Sequence, residues 1–189
     1  MAGKDRDLRW IDALDDETAS SIVRIVNDVS KQDSTVGFDG ELSDEQAAHF
    51  IADLRTRMKH GRTHVLLITS REGEPFGMLV LEQHGSPNNQ HIGDVSKAML
   101  VPDARHQGIL LEGAKELGRH CRRIGVDVMT LDVRADAPAM GLWAFLGFQQ
   151  YGRLPDYSRP SPGHPPVEGR FMYVSVTDFQ ARLEEISPR

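Results

Sequence analysis

The sequence predicts an α/β protein whose central sheet is mixed, mostly antiparallel and flanked by helices. The first reason is the order of its elements: a strand, two helices, three strands, a helix, a strand, a helix, two strands and a terminal helix. The second is the strand–helix–strand segment at residues 94–133, which implies a right-handed parallel crossover. The third is size, because 189 residues with 39% apolar and 26% charged residues fit one globular domain, residues 1–189.

Hydrophobic periodicity and turn residues locate each element. Ser43 and Gln46 form a capping-box pattern that opens the second helix, and Thr177 with Gln180 is expected to cap the last one. The strands on either side of the turn at residues 72–75 are expected to pair as an antiparallel hairpin. Strands are predicted at residues 8–14, 64–70, 76–82, 94–101, 126–133, 148–154 and 171–176. Helices are predicted at about residues 15–29, 43–59, 108–124, 139–146 and 177–186.

One long segment interrupts this pattern. Residues 155–169 hold five prolines and two glycines, a composition that is typical of irregular structure. The sequence therefore predicts an ordered lid or insertion between the last two strands.

Charge and cysteine content exclude several classes of protein. Lys and Arg number 22 against 28 Asp and Glu, and a formal charge of −6 argues against nucleic acid or an anionic membrane as a partner. Cys121 is the single cysteine, so no intramolecular disulfide forms, and its place on an apolar helix stripe predicts a packed thiol. Residues 1–9 show no signal-peptide pattern, and apolar runs such as residues 65–68 are too short to span a bilayer. We expect a soluble cytoplasmic protein.

The stretch Val101-Pro102-Asp103-Ala104-Arg105-His106-Gln107-Gly108-Ile109 leads from a predicted strand into a predicted helix. Free backbone N–H groups at a helix N-terminus, together with the helix dipole, favour an anion such as pyrophosphate. Gly108 allows a sharp turn or a close approach of the backbone, and Arg105 can add a charge-assisted contact. Taken alone, the pattern favours an ordinary strand-to-helix turn in which Gly108 ends the strand.

A second motif narrows the choice. Val101, Arg105 and Gly108 resemble the central coenzyme A motif of the Gcn5-related N-acetyltransferase (GNAT) superfamily, whose usual form is Arg/Gln-x-x-Gly-x-Gly/Ala. Residues 139–148 resemble the Ala-x-x-Leu-Tyr-x-x-x-Gly-Phe signature of the same superfamily, in the expected order and spacing. A looser likeness to the tabtoxin-resistance acetyltransferase group runs from residue 35 to residue 173, through Val36-Gly37-Phe38, the strand at 94–101 and residues 152–157.

The resemblance implies a GNAT-type domain with a V-shaped splay between strands 4 and 5 and a CoA-binding core at about residues 94–148. It implies acetyl-CoA as co-substrate, no metal, and transfer of the acetyl group to a primary amine of a small molecule by direct attack in a ternary complex. A homodimer is left open. The residues that the resemblance assigns to CoA are Met99, Leu100, Val101, Arg105, His106, Gln107, Gly108, Ile109, Leu110, Asp136 and Trp143. A backbone N–H of residues 99–101 is expected to meet the oxyanion.

Three positions depart from the family pattern. Leu110 replaces a small residue, which puts the affinity for acetyl-CoA in question, and Asp136 stands where Asn is common. Trp143 replaces a tyrosine that serves as general acid, and an indole N–H cannot supply a proton at neutral pH. The thiolate either leaves unaided or receives a proton from another residue, of which Tyr157 is the candidate.

A base must also take a proton from the amine acceptor, since an alkyl amine with a pKa near ~10.4 arrives protonated. Asp94 and Asp132 are the candidates because both lie on the strands of the predicted crossover and match acidic positions of the tabtoxin-resistance group. The alternative is that they pair with surface cations such as Lys97 or Arg134.

The histidines offer another base, and His84 and His91 flank a loop beside the Asp94 strand, but each histidine is expected to be solvated. Gly61 breaks the helix between His60 and His64, so their spacing does not suit a metal site.

Two functions of different classes follow. The first is an active N-acetyltransferase, and the second is a CoA-binding GNAT-like protein with weak or no catalysis that acts as a sensor or partner module. Trp143 favours the second function, and Leu110 counts against both functions because both require CoA. A dinucleotide enzyme is excluded because the turn has one glycine and the first half of the chain is not a βαβ repeat.

Overall fold

The computed structural model of the chain describes residues 6–31, 37–38, 40–159 and 165–187. The strands are β1 (Arg6–Ile11), β2 (Thr63–Ser70), β3 (Pro75–Gln83), β4 (Ile92–Leu100), β5 (Val128–Arg134), β6 (Gln149–Ser158) and β7 (Val167–Ser175). The helices are α1 (Asp16–Ser30), α2 (Asp44–Lys59), α3 (Ile109–Ile124), α4 (Pro138–Phe145) and α5 (Val176–Ile186), with a short 3-10 helix at Pro102–Ala104. None of the helices in these described ranges is long and apolar enough to cross a bilayer.

The seven strands follow the hydrogen-bonded order β1-β2-β3-β4-β5-β7-β6. β2 and β3 form the expected antiparallel hairpin, and β4 and β5 form the expected parallel pair. The parallel pairing covers three residue pairs and ends where Asp94 faces Thr130, although both strands continue beyond it. The predicted fold class, a mixed sheet flanked by helices, is confirmed.

The chain divides into two compact units, Met1–Glu82 with Ser96–Gly113 and Gln83–Val95 with Ala114–Arg189. The core of the first unit is formed by one face of α1 packed with residues of α2, β2 and β3. Its fully buried members include Ile22, Ile25, Val26, Leu54 and Val65. The apolar spacing of α1 that predicted a helix is therefore the spacing that fills this core.

The second unit contains β5, β7 and β6 with α4, α5 and most of α3. Its core contains an aromatic series in which Phe148 meets Trp143 edge to face at 5.2 Å and Phe179 at 5.9 Å between ring centroids. Phe179 of α5 is fully buried. The terminal helix is thereby fixed to the motif that contains Trp143.

Capping explains two helix starts, one of which the sequence analysis placed wrongly. The capping box of α2 is confirmed, with Ser43 Oγ accepting from the Gln46 N–H at 3.2 Å and Gln46 Oε1 accepting from the Ser43 N–H at 2.9 Å. The cap of α5 is Ser175, whose Oγ accepts from the Asp178 N–H at 3.0 Å. The prediction of Thr177 was wrong because β7 runs directly into α5, and Thr177 already lies inside the first turn.

The prediction that residues 155–169 hold no regular structure was wrong at both ends. β6 continues through Pro155 to Ser158, and β7 begins at Val167. Proline is tolerated here because β6 is the edge strand and its register shifts between Leu154 and Ser158. The middle of the predicted lid, residues 160–164, lies outside the described residues.

Strand boundaries shift in two places that matter for the site. β1 begins at Arg6, which pairs with Ser70, rather than at residue 8. β4 begins at Ile92, so Asp94 is its third residue and not its first.

Cys121 is fully buried, as predicted, and burial raises the pKa of its thiol to about 12. At pH 8 a thiol of that pKa is about 10⁻⁴ ionised, against about a quarter for a free cysteine. We expect Ellman's reagent to label the folded protein at least about 1000-fold more slowly than the protein unfolded in guanidinium, which serves as the control. Equal labelling rates would contradict the buried placement.

Candidate active site

The turn between β4 and α3 has an unusual backbone. After the 3-10 helix, His106 adopts a φ of 60° and Gly108 a φ of 79°, so two left-handed residues flank Gln107. Such conformations are rare for residues other than glycine and concentrate at functional sites. Alternation of this kind turns successive backbone N–H groups toward one side, where they suit an anion.

The hydrogen bonds of the turn show which N–H groups are committed. The Leu111 and Glu112 N–H groups both return to the Gly108 carbonyl, at 3.1 and 3.3 Å. Within the part of the chain that the structure describes, the N–H groups of residues 106–110 donate to no protein acceptor. A Cβ built on Gly108 would meet no described heavy atom within 4 Å beyond its chain neighbours. The residues present thus fit a phosphate group at the N-terminus of α3.

Two side chains of the turn stabilise it by hydrogen bonds to backbone carbonyls of the same segment. Arg105 Nε donates to the Leu100 carbonyl at 3.3 Å, and Gln107 Nε2 donates to the Asp103 carbonyl at 2.6 Å. Ile109 is buried, whereas Leu110 is only half-buried. The apolar residues at positions 110, 114, 117 and 121 predict a stripe that begins at Leu110, whereas the buried stripe of α3 begins at Ile109.

Arg6 also contacts this turn, and the sequence analysis missed it. Its Nη2 donates to the Gln107 carbonyl at 2.7 Å, and its Nη1 donates to Glu112 Oε1 at 2.9 Å. Only 7% of the Arg6 side chain is exposed. No sequence signal marks it, since Arg6 and Gln107 lie 101 positions apart.

The end of β4 narrows the choice of oxyanion donor. The Val101 N–H donates to the Phe76 carbonyl of β3 at 2.9 Å and is therefore committed. N–H groups of successive strand residues point to opposite edges, so the Leu100 N–H points to the edge away from β3. Of residues 99–101, Leu100 is the position that fits an oxyanion donor.

In the second unit, a cluster surrounds Asp94. Thr130 Oγ1 donates to Asp94 Oδ1, and His84 Nε2 lies 2.8 Å from Asp94 Oδ2. Because a carboxylate only accepts, His84 Nε2 carries the hydrogen of this bond. Asp94 itself is exposed. The sequence predicted a base at Asp94 and left His84 as an alternative base, but it gave no role to Thr130.

Asp132 lies two residues beyond Thr130 on β5, so the two side chains share one face of the sheet. The Tyr157 hydroxyl donates to Asp132 Oδ2, and the Tyr157 ring meets Phe171 edge to face at 5.9 Å. Burial, followed by the hydrogen bond to Asp132 and its charge, raises the pKa of Tyr157 to about 12. The structure thus joins two residues that the sequence analysis named separately.

Gly169 makes room for the Tyr157 ring. A Cβ on Gly169 would lie 2.8 Å from Tyr157 Cβ and closer still to Cγ, so alanine there displaces the ring. In a Tyr151→Phe/Tyr173→Phe background, we expect Gly169→Ala to move the tyrosinate absorbance midpoint from about 12 toward ~10, the value of a free tyrosine.

The matched control is Gly152→Ala, whose new Cβ would meet Phe171 at an ordinary 3.5 Å and is expected to leave the titration unchanged. An unchanged midpoint in Gly169→Ala would contradict the placement of Tyr157.

The two remaining predicted CoA contacts lie in different surroundings. Trp143 is 9% exposed and packs in the core of the second unit. Asp136 is half exposed and receives Arg134 Nε at 3.0 Å and Nη2 at 2.7 Å; this hydrogen bonding lowers the pKa of Asp136. Contact of either residue with CoA stays a prediction.

Other predicted features lie partly or wholly outside the described residues. Of Val36-Gly37-Phe38, only Gly37 and Phe38 are described, and most of the loop at 32–40 is not. Among the residues that are described, no three His, Cys, Asp or Glu side chains form a group that could hold a metal ion.

No protein-family model and no curated protein matches the sequence. Solved structures match in fold. A GNAT-superfamily phosphinothricin acetyltransferase from Sinorhizobium meliloti, in complex with acetyl-CoA, is 18% identical with a TM-score of 0.70, over 90% of this chain and 88% of that one. A spermidine N-acetyltransferase from Vibrio cholerae, in complex with CoA and spermine, is 13% identical with a TM-score of 0.73, over 93% of this chain and 98% of that one. A GNAT-family acetyltransferase from Streptococcus pneumoniae is 18% identical with a TM-score of 0.71, over 90% of this chain and 99% of that one. The chain has the fold of the GNAT-superfamily acetyltransferases.

Proposed function

We propose that the chain is an acetyl-CoA-dependent N-acetyltransferase that acts on a primary amine of a small molecule. The observation that carries the proposal is the turn before α3, where the uncommitted N–H groups of residues 106–110 and the open space at Gly108 fit a pyrophosphate, while the Arg105 N–H is already bonded to the Pro102 carbonyl at 3.1 Å. The neighbours of like fold that are solved with acetyl-CoA or CoA support the same ligand.

The backbone of the turn provides most of the binding to phosphate in this proposal. Arg105 adds positive charge, while His106 and Gln107 contribute mainly N–H groups, because the Gln107 side chain is used inside the turn. Asp136 would repel an anionic ligand, but the paired Arg134 guanidinium neutralises it. Leu110 is half-buried at the first turn of α3, where it is placed to limit the approach of the ligand.

The Asp94 cluster is proposed to receive the proton of the acceptor. When bound, acetyl-CoA supplies a thioester carbonyl, to which the amine forms an N–C bond as the C–S bond breaks. The amine attacks only when neutral, so its proton passes to the exposed Asp94 carboxylate directly or through water. Thr130 and His84 hold the two carboxylate oxygens in place. Asp132, with Tyr157 bonded to it, is the second candidate for this role.

Tyr157 is proposed to act as a hydrogen-bond donor. With a pKa of about 12, it gives up its proton less readily than a thiol of pKa ~8.5. Transfer of that proton to a thiolate is therefore unfavourable, and the thiolate is expected to leave without a protein acid. Tyr157 fits better as the residue that orients Asp132.

The alternative is a CoA-binding protein with little or no catalysis. The observation that favours it is Trp143 itself, a buried indole with no ionisable group at the position where the family has its tyrosine acid. Both functions require CoA, so they differ only in turnover.

One experiment separates them. Acetyl-CoA is added to the full chain, thermal stabilisation is measured, and thiol release is then followed with a panel of mono-, di- and polyamines. Stabilisation with thiol release on at least one amine supports the enzyme. Stabilisation without release on any amine supports the binding protein, and absence of stabilisation refutes both.

A further inference from the structure

We propose that Arg6 is a positioning residue that holds the Gln107–Gly108 peptide in the orientation needed to bind the pyrophosphate of acyl-CoA. The inference rests on the proposed function, because it assigns to Arg6 a part in the same phosphate site. Arg6 lies on β1, far in sequence from the turn, and matches neither of the two family-like motifs.

One planar peptide unit joins the Gln107 carbonyl, which Arg6 contacts, to the Gly108 N–H. Arg6 Nη2 donates to the Gln107 carbonyl at 2.7 Å. In a trans peptide the C=O of one residue and the N–H of the next point in opposite directions. A carbonyl held toward Arg6 therefore turns the Gly108 N–H away from Arg6, and Gly108 is exposed to solvent. The guanidinium thus fixes the direction of an N–H that the ligand needs.

Arg6 also balances the charge of a carboxylate near the turn. Glu112 lies in the first turn of α3, where a carboxylate would repel an incoming phosphate. Arg6 Nη1 donates to Glu112 Oε1 at 2.9 Å and compensates that charge. One side chain therefore both orders the turn and removes the nearest acidic repulsion in the described part of α3.

The side chain of Arg6 is itself buried. Its side chain is only 7% exposed, and its Nε is buried without an acceptor in the described ranges. A buried charged group with an unmet donor is costly, so its presence calls for an explanation, which the positioning of the turn supplies. The pairing of Arg6 with Ser70 fixes its backbone in the β1–β2 ladder, so the guanidinium is presented from a rigid element.

The test compares Arg6→Met and Arg6→Lys with the control Arg9→Met, which changes an exposed arginine of the same strand. The dissociation constant of acetyl-CoA is measured by calorimetry on the full chain, with the melting temperature without ligand as a measure of folding. We expect Arg6→Met to weaken acetyl-CoA binding by about 10- to 100-fold, the range for loss of hydrogen bonds to a charged group. Arg6→Lys should restore part of the loss because it keeps the charge and one donor. Arg9→Met should match the wild type.

A further variant separates positioning from general destabilisation. Arg6→Met combined with Glu112→Gln removes the uncompensated carboxylate, so it should bind acetyl-CoA more tightly than Arg6→Met alone. A wild-type dissociation constant in folded Arg6→Met or, should that variant not fold, in Arg6→Lys overturns the proposal. No recovery in the double variant overturns the argument from charge. Absence of acetyl-CoA binding by the wild type refutes the proposed function instead.

Discussion

Gly108→Asp is expected to abolish measurable acetyl-CoA binding. The substitution places a carboxylate in the open space beside Gly108, where the proposal puts a pyrophosphate. Repulsion between charges about 4 Å apart costs about 1–4 kcal/mol each at effective dielectric constants of 80 to 20, which is about 5- to 1000-fold in affinity. The positive φ of 79° adds backbone strain to any side chain.

The matched control is Gly108→Asn, which has the same size, no charge and a better tolerance of positive φ than most residues. Calorimetric titration with acetyl-CoA should show a moderate loss in Gly108→Asn and no detectable binding in Gly108→Asp, while both retain a cooperative melting transition. Equal affinities of the two variants would show that no phosphate lies beside residue 108.

Asp94→Asn is expected to lower kcat/KM by about 100-fold or more at pH 7, the usual contribution of a general base. Asparagine preserves shape and can still bond Thr130 and His84, so the fold should persist. The loss should shrink as the pH rises toward the pKa of the acceptor amine, ~10.4 for an alkyl amine, since more of the amine then arrives neutral.

Two further variants complete this test. If Asp94 is the base, Asp132→Asn should leave the pH profile of kcat/KM unchanged. If Asp132 is the base, Asp132→Asn and not Asp94→Asn should show the pH-dependent loss of kcat/KM. Asp127→Asn, an exposed carboxylate just before β5, serves as the control and should be silent. A loss in Asp94→Asn that is uniform across pH would assign Asp94 a structural role.

The sequence predicted most of the fold because its signals are local. The capping box at Ser43, the periodic apolar residues of α1 and the hairpin around residues 72–75 each require only a few neighbouring residues. The errors came from context that is not local. Pro155 suggests a loop until β6 is known to be an edge strand, and Ser175 is found as a cap only when the end of β7 is known.

In the candidate site, too, the features with local signals were predicted and those that depend on distant contacts were not. The turn at Arg105 and Gly108 was found because backbone geometry, glycine and a following helix have a recognisable pattern. Its support by Arg6 was not found, because a contact across 101 positions leaves no periodic signal. The convergence of His84 and Thr130 on Asp94 depends on strand register, which the sequence analysis did not determine.

The continuation of β6 through Pro155 also bears on aggregation. A sheet edge with free N–H and C=O groups can recruit a strand from another molecule. At this edge Pro155 has no N–H to offer, Asp156 adopts a φ of 55°, and the register shifts between Leu154 and Ser158. An added strand cannot continue regular pairing past this point, so this part of β6 is protected against fibril-like growth even though it is exposed.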